Sequence, residues 1–237
     1  MDDRRRWCIR LIATGLAGIL VSGCVQTTAS RTEVWQRIPT TARVVLMTPD
    51  IELSELTAGG VLEPKADWTE RAKIHVVEAL SGVIGAKNAN LVPYRAPEND
   101  PAREHEHNQL IKLHDTVGRS VLVHHYGQLK LPNKDGKFDW TLGTDVRVLR
   151  EDVEADYALF VFMRDTYASA GRKAAMVGLA IIGVGLPGGV QFGFASLVDL
   201  KTGDLVWFNR LVDPQGDLRD PGPARSAVTK LLADLPL

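Results

Sequence analysis

An acidic residue and two histidines recur at helical spacing between residues 104 and 114. Glu104 and His107 are three positions apart, and His114 lies seven beyond His107, so a helix would place all three on one side. Glu-x-x-His pairs bind metal ions in helical bundles, where a second such pair completes the site. This sequence has no second pair and no His-Glu-x-x-His motif. We therefore interpret the stretch as a solvated helix start, and the alternative is a metal-binding, ligand-binding or hydrolytic site from Glu104 to His114.

The other motifs that could carry catalysis are incomplete. Residues 183–188 match the Gly-x-Gly-x-x-Gly pattern of dinucleotide-binding loops, but Pro187 occupies the fifth position, and the helix and acidic residue that should follow are missing. The sequence has no Gly-x-Ser-x-Gly motif. Arg164 and Asp165 end an apolar run and are interpreted as an exposed ion pair. We predict no catalytic residue, no metal site and no enzymatic activity.

The beginning of the chain has the features of a secretory signal. Three arginines at positions 4 to 6 precede an apolar core of 11 residues between Leu11 and Val21. A membrane-spanning helix needs about 20 apolar residues. The apolar region of a signal peptide needs only about 7 to 15, followed by small residues at the cleavage site. The length therefore favours a cleaved signal peptide over a retained membrane anchor.

The residues that follow this core resemble a known cleavage motif. Val21-Ser22-Gly23-Cys24 is similar to the lipobox of bacterial lipoproteins. The resemblance implies cleavage between Gly23 and Cys24, a diacylglycerol on the cysteine thiol and an acyl group on its amino group. The alternative is a soluble secreted protein whose cysteine is incidental. In such lipoproteins an aspartate after the cysteine retains the protein at the inner membrane, so Val25 implies the inner leaflet of the outer membrane, facing the periplasm.

This processing would leave a mature chain with no free thiol and little net charge. The 2 cysteines are Cys8, in the removed segment, and Cys24, which would carry the lipid. Cysteine is then excluded as a disulfide partner, metal ligand or nucleophile. Loss of the four arginines and two aspartates of residues 1–23 would change the formal net charge from −1 to −3. No basic stripe is present, so nucleic acid is not an expected partner.

Apolar periodicity predicts the elements of the remaining chain. Strands are predicted at 42–47, 91–94, 156–165, 192–200 and 205–212, with a strand or hairpin at 51–62. Helices are predicted at 67–86, with a capping box of Asp67 and Glu70, from Asp100-Pro101 towards Tyr126, at 143–151 and at 223–235. The order predicts an α/β (α+β) fold: a single mixed β-sheet with packed helices, a C-terminal antiparallel hairpin and a closing helix. We divide the chain into a signal peptide (1–23), a lipidated N-terminus and tether (24–40) and a single periplasmic domain (41–237).

The C-terminal hairpin resembles part of an envelope protein family. The stretch VDLKTGDLVW, from Val198 to Trp207, follows a strong strand at 156–161 and precedes the closing helix. In this arrangement it is similar to CsgG-type and TolB N-terminal-like periplasmic lipoproteins. The resemblance covers residues 40–237 in element order and only the hairpin in residue detail. It implies a non-catalytic role in a secretion, transport or assembly complex of the cell envelope, with a protein partner or a homo-oligomer.

An apolar, glycine-rich insert occupies residues 174–190, with the sequence AAMVGLAIIGVGLPGGV. A helix from Ala174 would meet Pro187 after about 20 Å, which is too short to cross about 30 Å of hydrocarbon. One interpretation is a crossover or hairpin buried on the sheet. The other is a membrane-dipping or self-associating element, because small residues allow close approach. The contacts predicted for membrane or partner are Gly178, Ile181, Ile182, Gly185 and Leu186.

Overall fold

The computed structural model describes residues 25–32, 38–87 and 89–237, which form one mixed sheet of eight strands with helices on both faces. The strands are β1 (Gln26–Arg31), β2 (Arg43–Leu46), β3 (Asp50–Leu56), β4 (Leu62–Pro64), β5 (Asn90–Pro93), β6 (Tyr157–Ala168), β7 (Gln191–Asp199) and β8 (Leu205–Asp213). The α-helices are α1 (Ala66–Gly85), α2 (Pro101–Val121), α3 (Arg147–Val153), α4 (Ala170–Ala180) and α5 (Pro221–Leu231). The predicted α/β (α+β) fold on a single mixed sheet is confirmed.

Strand β6 forms the centre of the sheet. Its apolar stretch from Ala158 to Met163 is buried throughout, as expected for a strand covered on both faces. The order across the sheet is β1-β8-β7-β6-β2-β5, and β3 pairs with β6 beyond the end of β2. β2 and β3 run parallel to β6, whereas β7 and β8 run antiparallel to their neighbours. The C-terminal ends of β3 and β6 therefore lie at the same end of the sheet as the start of β7.

Each face of the sheet is covered by a separate hydrophobic core. Helices α1 and α5 pack on one face, where Leu80 and Val228 contact a core that includes Trp207. The other face is covered by α2, α3 and the segment between them, around Phe194 and Phe208. Both cores draw residues from β6 because successive side chains of a strand point to opposite faces.

The two long helices begin differently from one another. The Asp100 side chain accepts a hydrogen bond from the backbone N–H of Arg103 at 3.1 Å, so this cap of α2 is confirmed. The capping box predicted for α1 is wrong, because the helix begins at Ala66, and Lys65 makes no side-chain capping bond among the described residues. Asp67 instead lies inside the first turn, where an acidic residue is favoured by the helix dipole.

The described N-terminal residues form a strand where the sequence predicted a tether. β1 pairs antiparallel with β8 along its whole length. The Ser30 hydroxyl lies 3.0 Å from His125 Nε2 and accepts a hydrogen bond from the Tyr126 hydroxyl at 2.9 Å. The side chains of β1 are mostly polar and exposed, which an edge strand tolerates, and this composition is the reason that it resembles a linker. The folded part of the chain therefore already includes Gln26.

Candidate functional site

The first histidine of the predicted cluster is buried and bonded through both ring nitrogens. His107, on α2, lies 3.1 Å from the Tyr94 hydroxyl through Nδ1 and 2.9 Å from Asp152 Oδ2 through Nε2. Arg103 donates to both carboxylate oxygens of Asp152, at 2.9 and 3.2 Å. Asp152 belongs to α3, so this network joins α2 to α3 and to the residue after β5. These hydrogen bonds hold α2, α3 and the end of β5 together.

The second histidine lies deeper in the same face of the sheet. The His114 ring stacks on Phe160 with centroids 3.9 Å apart and an angle of 12° between the planes. Its Nε2 is 2.6 Å from the Ser196 hydroxyl oxygen on β7. Burial lowers the pKa of His114 to about 3, so the ring stays neutral at physiological pH. A neutral, stacked and hydrogen-bonded ring is a packing element of the core.

The structure does not bring the predicted cluster together. Glu104 and His105 are exposed, whereas His107 and His114 are buried in two separate networks. The predicted solvated helix start is therefore wrong for these two histidines, which lie on the buried face of α2 together with Leu110 and Val121. Across the described ranges, no group of three or more histidine, cysteine, aspartate or glutamate side chains is arranged to hold a metal ion.

A buried carboxylate on β6 forms a second polar cluster, which the sequence did not indicate. Asp165 is 1 % exposed, and its Oδ2 accepts hydrogen bonds from the Tyr167 hydroxyl, from Gln191 Nε2 at 3.1 Å and from the backbone N–H of Leu218 at 3.0 Å. Burial raises the pKa of Asp165 to about 6. The predicted exposed ion pair with Arg164 is wrong, because neighbouring strand residues point to opposite faces.

This cluster fastens the loop after β8 to the sheet. The Arg219 guanidinium lies 3.7 Å from the centre of the Tyr167 ring and pairs with Asp217 at 2.6 Å. Of the described buried polar atoms, Asp165 Oδ1 and Gln191 Oε1 are among those without a hydrogen-bond partner. Burial disfavours the charged carboxylate of Asp165 and outweighs the hydrogen bonds from its neighbours, which by themselves lower its pKa. The carboxyl group therefore keeps its proton to a higher pH than an exposed one.

A polar cleft lies at the other end of the sheet. It has a volume of about 240 Å³ and is lined in part by Arg150, Asp156, Tyr157 and Lys201. Arg150 and Asp156 are 3.7 Å apart, and both side chains are about half exposed. Exposed ion pairs of this kind contribute little to stability. The cleft mixes charges of both signs and does not select one charge class of ligand.

The apolar insert at 174–190 is exposed. Helix α4 ends at Ala180, and the following residues Ile181 and Ile182 are 82 % and 71 % exposed. The interpretation as a crossover or hairpin buried on the sheet is therefore wrong. Of the predicted contact residues only Leu186 is half-buried, and the membrane or partner contact itself stays a prediction. In the part of the chain that the structure describes, no helix is both long and apolar enough to span a bilayer.

A buried arginine holds the insert in place. Arg172 donates from Nε to the carbonyl oxygen of Pro187 at 2.8 Å and from Nη1 to that of Thr57 at 3.3 Å. It thereby joins α4, the loop before β7 and the β3–β4 hairpin. The hairpin brings two further exposed apolar side chains, Val61 and Leu62, to the same end of the sheet. The sequence predicts a strand or hairpin here but does not indicate that it lies beside the insert, because the two segments are distant along the chain.

The predicted cleavage and lipidation residues, Gly23 and Cys24, lie outside the described residues. The described chain begins at Val25, directly after the predicted lipidation site, and enters β1 at Gln26. β1 therefore starts at the end of the sheet where β7 begins.

Comparison of the chain with protein-family models and with curated proteins gives no match. Solved structures with a similar arrangement include a PelC dodecamer from Paraburkholderia phytofirmans, with a TM-score of 0.41, 11% identity and coverage of 89% of this chain and 96% of that chain. A single-substitution variant of that dodecamer has a TM-score of 0.39, 13% identity and the same coverage. The LpoB C-terminal domain from Salmonella enterica has a TM-score of 0.26 and 12% identity, and covers 71% of this chain and 80% of that chain. With TM-scores below 0.5, these likenesses carry no conclusion about the function of this chain.

Proposed function

We propose that this protein is a bacterial lipoprotein anchored through Cys24, and that it is a non-catalytic subunit or accessory of a secretion, transport or assembly complex in the cell envelope. The observation that supports the proposal is the position of β1, which starts at Gln26 and pairs with β8 along its whole length. A lipid on Cys24 would then be attached almost directly to the sheet. Rigid attachment suits a protein that presents a fixed surface to its neighbours.

In this proposal the lipid lies in the inner leaflet of the outer membrane and the domain faces the periplasm. Val25 supports this location, because the aspartate that would retain a lipoprotein at the inner membrane is absent from this position. The partner is another protein or further copies of the chain. The covalent diacylglycerol and N-acyl group on Cys24 are the only lipids required, and no other cofactor is part of the proposal.

The buried titratable side chains support a non-catalytic role. The rings of His107 and His114 and the carboxylate of Asp165 are all bonded to groups from other elements of the fold. Such bonds position elements of the fold and leave these groups poorly placed to meet a substrate. The alternative function is a metal-binding, ligand-binding or hydrolytic site from Glu104 to His114. It has no such support, because Glu104 is exposed and, among the described residues, no hydrogen bond joins it to His107 or His114.

Lipidation is tested by growing cells that express the protein with radiolabelled palmitate. The label should enter the wild-type protein and the Cys8→Ala variant, and it should be absent from Cys24→Ala, which should also remain unprocessed. Cys8→Ala is the matched control because it removes a thiol from the segment that is predicted to be cleaved. Equal labelling of the Cys24→Ala variant would refute the anchor.

The complex is tested by extracting the lipidated protein from membranes with a mild detergent and measuring its mass by light scattering. We expect a particle whose protein mass exceeds that of one processed chain, which is itself lighter than the 26.0 kDa of the full sequence. Mass spectrometry of the particle then distinguishes a homo-oligomer from a complex with another protein. A monodisperse monomer with no associated protein would contradict the role as a subunit.

A further inference from the structure

Two segments at one end of the sheet expose apolar side chains. Strand β6 leaves the sheet at Ala168, and the chain returns at Gln191, which pairs with Asp165. We call the segment between them, residues 169–190, the excursion. It exposes Val177, Ile181, Ile182 and Val184, and the neighbouring hairpin exposes Val61 and Leu62. We call these six residues the apolar end. Soluble proteins rarely leave large apolar patches uncovered, so this end requires an occupant.

The start of β1 lies at the same end of the sheet. Gln26 pairs with Val212 of β8, and Val212 pairs with Phe192 of β7, one residue after the excursion returns. Two strand spacings, about 10 Å, therefore separate the start of β1 from the strand that the apolar insert enters. The predicted lipidation site is two residues before Gln26, and two residues span at most about 7 Å.

These distances bring the apolar end to the bilayer. The headgroup region on one side of a membrane is roughly 5 to 7 Å thick, half of the difference between the total and the hydrocarbon thickness. A chain whose lipid enters the hydrocarbon at Cys24 therefore has Gln26 at or inside the headgroup layer. The orientation that lets β1 begin there directs the excursion and the hairpin towards the same surface.

The charges of the excursion agree with a lipid occupant. The sequence has no acidic residue between Asp165 and Asp199, and its only charged residues there are Arg172 and Lys173. Arg172 is buried in bonds to two carbonyl groups, and Lys173 is exposed. No carboxylate of the excursion would thus be repelled by anionic headgroups, and Lys173 would be attracted to them.

We propose that the apolar end is a membrane-docking surface, in which Ile181, Ile182 and their neighbours insert into the bilayer that holds the lipid of Cys24. The inference rests on the proposed lipid anchor and deepens it. Apolar side chains in the interface between headgroups and acyl chains add binding energy in proportion to their buried area. Because the lipid already anchors the chain, the effect of the docking surface is to fix the orientation of the sheet.

The test uses the full chain, purified in detergent and reconstituted into vesicles of phosphatidylethanolamine and phosphatidylglycerol. An environment-sensitive fluorophore is attached at Ile182→Cys on the insert, at Val61→Cys on the hairpin and, as the matched control, at Ile74→Cys. Ile74 is 59 % exposed on α1, so a label there reports an apolar position outside the apolar end. We expect a blue shift at positions 182 and 61, with loss of emission when the vesicles contain lipids that carry a quencher, and no change at position 74.

The outcomes separate this inference from the proposed function. Mass spectrometry of the N-terminal peptide shows first whether Cys24 is acylated. If Cys24 is acylated and the labels at 182 and 61 are not quenched, the docking surface is refuted and the anchor is retained. If the labels shift to the blue without quenching and form cross-links between copies, the occupant is a second chain and the docking surface is equally refuted. If Cys24 carries no acyl group, both proposals fail.

Discussion

The buried carboxylate of Asp165 should make the stability of the domain depend on pH. Its surroundings raise the pKa from the ordinary value of 3.8 to about 6, with burial as the largest cause. The folded chain therefore binds this proton more tightly than the unfolded chain does. The stability that comes from this proton is fully present below pH 3.8, and it is lost as the pH rises towards about 6.

The variant Asp165→Asn should remove this dependence. The carboxamide oxygen can still accept the hydrogen bonds that Oδ2 receives from Tyr167, Gln191 and Leu218, and the side chain has no proton to lose. A difference of about two in pKa corresponds to about 3 kcal/mol. Relative to the wild type, the variant should therefore gain about 2.5 kcal/mol of unfolding free energy as the pH rises from about 4 to about 7.5, because part of the effect is already present at about pH 4.

The measurement is urea unfolding, followed by tryptophan fluorescence, on the domain that begins at Val25. The difference in unfolding free energy between variant and wild type is plotted against pH, so that contributions from all other groups cancel. Asp135→Asn is the matched control, because Asp135 is exposed in a loop and its φ of 46° is one that asparagine tolerates. A difference for Asp165→Asn that stays constant across the pH range would show that the carboxyl group is not held protonated by its surroundings.

Three further predictions concern packing. In urea unfolding, the free energy of unfolding of His114→Phe should rise by about 2.5 kcal/mol relative to the wild type as the pH falls from about 7 to about 4.5. Burial lowers the pKa of His114 to about 3, so over this range only the unfolded wild-type chain takes up its proton. Gly118→Ala should lower the melting temperature, since the new Cβ would lie 2.4 Å from the buried Phe194 ring and overpacking costs about 1 to 3 kcal/mol, more than the gain in helix propensity. Gly189→Ala should accelerate hydrogen exchange in the apolar insert, because this residue has a φ of 140° and a Cβ would lie 2.1 Å from a carbonyl oxygen of β6.

The sequence predicts those elements whose residues signal them locally. β6 is apolar on both faces, the turn at Gly203 closes the β7–β8 hairpin with a φ of 86°, and Asp100-Pro101 starts α2. These features depend on neighbouring residues, so composition and spacing suffice. β1 was not predicted, because an edge strand of polar residues gains its pairing from β8, which lies far away along the chain.

The buried polar groups could not be predicted for a related reason. His107 and His114 are tolerated in the core because Tyr94, Asp152 and Ser196 supply hydrogen bonds, and these partners come from other elements. Their spacing with Leu110 and Val121 places both histidines on the buried face of α2, but it does not indicate which partners they meet there. The apolar insert was recognised from its composition, but its exposure depends on where β6 ends and β7 begins, which only the sheet register shows.

The pairing of β1 with β8 limits which surfaces of the domain a partner can reach. With a flexible tether, every face of the domain would meet the bilayer and the periplasm in turn. A strand that is paired from Gln26 onwards removes this freedom, so the proposed membrane contact would leave the opposite end of the sheet pointing away from the lipid. The nine residues of β7 span about 30 Å. The end of the sheet opposite the apolar end carries the turn around Gly203 and the cleft lined by Arg150 and Lys201. A periplasmic partner would then meet this end, about 30 Å from the bilayer.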